Sequence, residues 1–285
     1  MINTNSNGFF YDLITCRNYI LMICFHILKI KTGIYELEKE MSRIKIMNTE
    51  IDNLTMSETL DCIDMLINTR VPSYVVTPNI DHIVQLETDV KLQKAYQKAA
   101  LIITDGKPLI WISKYYKKTI KEKISGSDVF PLLCDMAAKR GYSIFLLGAA
   151  EGVAKKAAEN LKKKYNGLNV CGTYSPKHGF EKDDKEIKKI KEIIKSAKPD
   201  ILVVGLGCPK QEYFMYDYYQ ELNVPVSLGL GATIDFEAGI VKRAPKWIAN
   251  SGFEWLYRIT QDPKRLIKRY WKDIKSIIPI VIKYK

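Results

Sequence analysis

From Arg43 onward the chain alternates between two hydrophobic patterns. Short runs of consecutive apolar and β-branched residues, as in strands buried on both faces, are separated by stretches whose apolar residues recur every three or four positions. RIKIMNTEI (43–51) reads as a strand, and 54–69 carries Leu60, Ile63, Leu66 and Ile67 on one helical face. YVVT (74–77) predicts a buried strand, 79–100 a helix and LIIT (101–104) another strand. GSDVFPLLCDMAAKRG predicts a helix stopped by Gly141, and SIFLLG (143–148) a strand feeding the helix EGVAKKAAENLKKKY. LNVCGTY and a polar loop follow, then a helix over 185–197, the strand DILVVG (200–205), a helix over 211–222 and the strand VPVSLG (224–229).

Strands separated by helices of this length imply right-handed βαβ crossovers. The predicted fold is therefore α/β: a doubly wound, mostly parallel sheet with helices on both faces. Ligands of such sheets bind beyond the carboxyl ends of the strands, which selects residues 77–81, 104–107, 148–152, 205–212 and 229–235 for closer reading.

Charge changes the picture at the C-terminus. The chain has 285 residues, is 47% hydrophobic and carries a net charge of +12. Residues 242–285 hold 12 Lys and Arg against Glu254, Asp262 and Asp273, so +9 of the +12 lies there and +3 in the rest. We divide the chain into an extension (1–40), an α/β core (41–241) and a basic C-terminal helical appendage (242–285). Within the appendage Asp262 can cap, and Pro263 begin, a helix. On it Ile267, Tyr270, Trp271, Ile274, Ile277 and Ile278 form one stripe, with Lys264, Arg265, Lys268, Lys272 and Lys275 largely off it. That is an interfacial pattern suited to an anionic membrane surface. The alternative is a stripe packed on the core with a solvated basic face. Nucleic acid is a rival reading of the same charge, and the ordered apolar spacing argues against it. The apolar run 19–30 is too short to span a bilayer and lacks the flanks of a signal peptide, so it reads either as part of an extension outside the fold, which would then start at Met41 or Met47, or as a helix that touches the membrane.

Six cysteines without a C-x-x-C pair indicate neither a zinc site nor a disulfide framework and fit a reducing cytoplasm. The three histidines (26, 82, 178) are scattered and read as incidental. TPNIDH (77–82) puts a hydroxyl, an amide and a carboxylate where a helix begins, although Asn79 would equally serve as a cap. TDG (104–106) sets Asp105 at a strand's carboxyl end, where it is a candidate general base or a turn residue. GLGCPKQE (205–212) has glycines that let backbone N–H groups approach an anion, with Lys210 and Gln211 beside them, or that simply form a tight strand-to-helix turn; it lacks the third glycine of the dinucleotide fingerprint, which weakens an oxidoreductase reading. No D-x-D carboxylate pair follows a strand, so a leaving diphosphate would be neutralised by Arg, Lys and helix N-termini.

These segments, with TDGKPLIW (104–111), GSD (126–128), FLLGA, GATIDFEAG, RAPKW and GFEWLYRITQDPKRLIKRY, resemble the WecG/TagA/CpsF glycosyltransferases in the family's order over about residues 45 to 272. The resemblance implies a UDP-sugar-dependent hexosyltransferase that inverts configuration and needs neither metal nor cofactor. It implies transfer of N-acetylmannosamine from UDP to N-acetylglucosaminyl-diphospho-undecaprenol, as in wall teichoic acid linkage-unit synthesis; related members move other sugars. The partners implied are a UDP-sugar donor, a polyprenyl-diphosphate-linked acceptor and the inner face of the cell membrane, with a homo-oligomer left open. By the same resemblance Asp105 looks like the general base, Thr77 and Asn79 like substrate-pocket residues and Gln211 like a nucleotide-sugar contact. Arg258, Arg265 and Arg269 are candidates for the acceptor's diphosphate. Many relatives have Arg just before the GSD segment; this chain has Lys123, a point charge in place of a fork.

Overall fold

The computed structural model describes residues 43–285. The expected extension, with its apolar run 19–30, lies outside the described residues. Strand β1 (Arg43–Ile46) and strand β2 (Thr49–Asp52) pair antiparallel. The run 43–51, read above as one strand, is thus a hairpin: Met47 takes a positive φ of 52° and, with Asn48, turns the chain between Ile46 and Thr49.

Helix α1 (Met56–Thr69) opens on a capping box in which Thr55 accepts from the Glu58 N–H and Glu58 accepts from the Thr55 N–H. Strand β3 (Ser73–Val76) is followed by α2 (Ile80–Leu86) and α3 (Val90–Lys98), where the periodicity predicts a single helix. The break occurs because the Asp89 side chain accepts from the Leu92 N–H and starts a new helix. Then come β4 (Leu101–Ile102), α4 (Lys107–Tyr115), α5 (Gly126–Arg140), β5 (Ser143–Gly148), α6 (Val153–Lys164), β6 (Asn169–Tyr174), a 3₁₀ turn (Phe180–Lys182), α7 (Asp184–Ala197), β7 (Ile201–Gly205), α8 (Lys210–Leu222) and β8 (Val226–Gly229). Beyond the last strand lie α9 (Thr233–Glu237), α10 (Lys246–Ser251), α11 (Glu254–Gln261) and α12 (Pro263–Lys283).

Strands β3 to β8 form one sheet, parallel throughout, in the order β4-β3-β8-β7-β5-β6. Alternate residues face opposite sides, and both sides are buried. Tyr74, Val76, Phe145, Leu147, Leu202 and Val204 pack with Ile190 and Ile194 of α7 and Phe214 and Met215 of α8. Val75, Ile144, Leu146, Ile201, Val203 and Leu228 are equally buried on the other side. The chain steps outward from β3 to β4, crosses to β5 and β6, and returns through β7 to β8 beside β3. That reversal brings the carboxyl ends of β4, β3, β8 and β7 side by side and opens a crevice above them.

Among the described glycines, the one with least room for a Cβ lies at the sheet's carboxyl edge. Gly148 has φ 127°, and a Cβ there would collide with the backbone of Gly205 on the neighbouring strand. Gly152, at φ 78°, has open space around it. Gly148→Ala should therefore cost about 2 to 3 kcal/mol, and Gly152→Ala about 1 kcal/mol. Denaturant melts of the two variants check this; equal losses would show that the β5–β7 contact is not tight.

Candidate active site

The crevice is a cleft of about 660 Å³. Its floor comes from the strand ends: Thr77 and Asn79 after β3, Asp105 after β4, Gly205 and Gln211 around the start of α8, and Leu230 and Gly231 after β8. Its outer wall comes from α11 and α12 through Glu254, Arg258, Arg265, Arg269, Tyr270 and Asp273. All eight residues picked out by sequence line this one cleft: Asp105, Thr77, Asn79, Lys123, Gln211, Arg258, Arg265 and Arg269.

What each side chain does differs. Thr77 Oγ1 donates to the Gly229 carbonyl (2.8 Å), bracing β3 against β8. Asn79 is both cap and cleft residue: its Oδ1 accepts from the Asp81 N–H (3.0 Å). Gln211 is 2% exposed, and its amide is engaged at both ends, with Nε2 donating to Glu212 (2.7 Å) and Oε1 accepting from the Gly231 N–H (3.1 Å). Lys210, read as a charge for an anion, instead pairs with Glu181 of the 3₁₀ turn (2.7 Å) and does not line the cleft.

The cations are mostly partnered. Lys123 pairs with Asp128 (2.7 Å), which also holds Arg243. Arg269 pairs with Asp81 (3.0 Å) and approaches Asp273 (3.8 Å), and Arg265 pairs with Asp262. Arg258 makes no ion pair among the described residues; it lies over the Phe236 ring, 5.7 Å from its centroid. The Asp105 backbone N–H donates to Pro78 (2.9 Å), while its carboxylate has no hydrogen bond or ion pair among the described residues. Burial pushes the Asp105 carboxyl above the ordinary range and Glu254 adds to this, against the opposing pull of Lys123, Arg258 and His82.

The sequence reading missed one cluster. His82, taken as incidental, sits with Cys208 and Glu212, their ligand atoms within 4.8 Å of one another. It was hidden because His82 and Glu212 are 130 residues apart and meet only through the order β3-β8-β7. A cation held by all three would have to displace the His82–Glu212 contact (3.1 Å) and the Gln85 amide on the Cys208 sulfur (3.3 Å).

On α12 the stripe divides. Tyr270 and Ile277 turn partly inward and line the cleft, Ile274 lines it at the rim while staying 45% exposed, and Ile267, Trp271 and Ile278 are exposed away from it, Trp271 by 60%. Inward contacts come from Leu266, Asp273 and Ile280. No helix of the described residues is long and apolar enough to cross a membrane.

The family model described as "Glycosyl transferase WecG/TagA/CpsF family" matches residues 44–285. An N-acetylglucosaminyldiphosphoundecaprenol N-acetyl-beta-D-mannosaminyltransferase of Bacillus spizizenii is 31% identical over 205 residues, 72% of this chain and 76% of that protein. Proteins of the same name from Bacillus subtilis and Staphylococcus aureus are 35% identical over 176 residues (62% and 64% of the two chains) and 26% over 227 residues (79% and 87%).

Asp273 gives a pH test of how α12 is held. Burial, with Asp81 as a like charge, pushes its carboxyl up to about 6 against the pull of Arg269. A folded value above the unfolded one means that the native state binds the extra proton, so stability falls as pH rises from about 4 to 6. Asp273→Asn removes that penalty. Its melting temperature should exceed the parent's at pH 7.5 and approach or fall below it at pH 4.5; the reverse order would mean that the carboxylate is better solvated or paired than this.

Proposed function

The chain belongs to the WecG/TagA/CpsF glycosyltransferase family, and from that premise we propose that it transfers N-acetylmannosamine from UDP onto N-acetylglucosaminyl-diphospho-undecaprenol. One observation carries the mechanism: the cleft combines Asp105, a strand-end carboxylate without a hydrogen-bond partner among the described residues, with Arg258, a guanidinium without an ion pair among them. Asp105 takes the proton of the attacking acceptor hydroxyl. The new bond forms from that oxygen to the anomeric carbon as the bond to UDP breaks, so the configuration inverts. The charge that develops on the departing diphosphate meets Arg258 first, with Arg265, Arg269 and Lys123 beside it. Neutralisation by these side chains is why we propose a transfer that needs no divalent ion.

The raised pKa of Asp105 fits this role, because a base improves as its conjugate acid weakens, provided that it stays ionised at the working pH. Glu254 contributes to that rise from α11, so closure of the C-terminal helices over the strand ends also tunes the base. The exposed apolar residues Ile267, Trp271, Ile274 and Ile278, with Trp247 74% exposed on α10, lie among exposed lysines including Lys268, Lys272 and Lys275. This composition suits a peripheral position on the anionic inner face of the cell membrane, where the acceptor presents its diphosphate.

Incubation with UDP-N-acetylmannosamine and a short-chain lipid-linked acceptor tests the reading. Asp105→Asn should keep UDP affinity and lose at least about a hundredfold in turnover; parent-like turnover would remove Asp105 from the chemistry. The acid limb of kcat/KM should lie above the ordinary carboxylate range, activity falling as pH drops through it, and Glu254→Gln should move that limb down. Turnover should survive EDTA, and a strict requirement for added Mg²⁺ or Mn²⁺ would overturn the account of the leaving group. Trp271→Asp with Ile278→Asp should weaken binding to anionic vesicles and spare turnover of the short-chain acceptor, since neither residue lines the cleft; unchanged vesicle binding would exclude this face.

A further inference from the structure

His82 and Glu212 are titratable groups shut almost completely inside the protein, 3% and 0% exposed. Buried charges persist where they are paired and hydrogen-bonded, and these two meet through Nε2 and Oε1 at 3.1 Å. Each also reaches a carboxamide of the cleft. His82 Nδ1 lies 3.0 Å from Asn79 Oδ1, and Glu212 Oε1 accepts from Gln211 Nε2 at 2.7 Å. Gln211 Oε1 in turn accepts from the Gly231 N–H. One chain of polar contacts therefore runs beneath the cleft from Asn79 through His82, Glu212 and Gln211 to the loop after β8.

We propose that His82 and Glu212 are positioning residues, a buried ion pair that fixes which way the Asn79 and Gln211 carboxamides face the nucleotide-sugar donor. Burial pulls the His82 pKa down, but Cys208 and Glu212 outweigh it and hold it well above the ordinary value. The cationic ring donates from both nitrogens, to Asn79 Oδ1 and to Glu212 Oε1. Asn79 Oδ1 then accepts from His82 and from the Asp81 N–H, leaving its NH₂ group to the cleft. A neutral ring could instead accept at Nδ1 from the Asn79 N–H, 3.3 Å away, and would release Oδ1. The charge on His82 thus selects the face that Asn79 presents. Around the ring stand Cys208 and Glu212 at the start of α8, Tyr96 from α3, Asp105 after β4, Asp81 on its own helix and Asp273 from α12. The Glu212 Oε2 atom has no hydrogen-bond partner among the described residues, so the carboxylate depends on the two donors at Oε1.

This inference rests on the donor reading above, and the test separates the two. Long-range ¹H–¹⁵N spectra of the full chain should show both His82 ring nitrogens protonated at pH 7.5, and Glu212→Gln should bring the titration down towards the free value of about 6.5. Calorimetry with UDP-N-acetylmannosamine and steady-state kinetics then read the consequence. His82→Gln and Glu212→Gln should each raise the donor KM roughly tenfold, the scale of one net hydrogen bond, with kcat within about threefold. The double variant buries no charge and should melt closer to the parent than either single variant. A parent protein that binds no UDP-sugar would defeat the donor reading and with it the assigned purpose of the pair, whatever the spectra show. A neutral His82 at pH 7.5, variants with parent-like KM, or one zinc ion per chain lost in Cys208→Ser would each overturn the proposal with the donor reading intact.

Discussion

Guanidinium and ammonium groups gathered around one cleft repel one another, so most are held by a neighbouring carboxylate, and those pairings join the elements of the site. Asp128, at the start of α5, holds Lys123 and Arg243 and so connects the segment before α5 to the one before α10. Asp81 on α2 holds Arg269 and fixes α12 across the strand ends. Partly shielded pairs of this kind exceed surface ion pairs in strength only where desolvation is shared with other contacts. Here Tyr116 supplies one, its hydroxyl donating to the Val281 carbonyl (2.7 Å). Arg258 stands outside this balance, and among the described residues the Asp105 carboxylate, like that of Glu254 across the cleft, has neither hydrogen bond nor ion pair.

The same arrangement explains why the chemistry sits where it does. Four parallel strands end together because the chain returns to β8 beside β3, and parallel ends leave backbone groups and short polar side chains facing one crevice. That crevice would be open to water without α11 and α12. Once these helices cover it, burial raises the Asp105 pKa and the basic wall faces the floor. The outer surface of α12 meanwhile keeps its exposed apolar residues. One helix thus contributes an inner wall to the site and an exposed apolar outer face, with Tyr270 and Ile277 on the first and Trp271 and Ile278 on the second.

Much of this is legible in sequence because strands buried on both sides read as unbroken apolar runs, and the rule of strand carboxyl ends then selects Thr77, Asn79, Asp105 and Gln211 without coordinates. The hairpin at Met47 was not legible, because no glycine or Asn-Gly pair announces the positive φ. The break between α2 and α3 carried a faint signal in Asp89, a capping residue inside an otherwise continuous periodicity. Lys210 was assigned to an anion because its partner Glu181 sits in an irregular segment that no periodicity places. The His82–Glu212 contact depends on strand order, which local patterns do not contain. Local signals mark what a residue can do, and topology decides which residues do it together.

The central claim is a single displacement in this cleft, with one carboxylate as base and no covalent sugar on the protein. The anomeric configuration of the product tests it most directly, read from proton NMR of the disaccharide released after transfer from an α-configured UDP-sugar. A β-linked product, formed without an exchangeable sugar–protein intermediate, is the result that the account predicts. An α-linked product would contradict it, because retention requires either a second nucleophilic event or front-face attack, neither of which Asp105 acting as base provides.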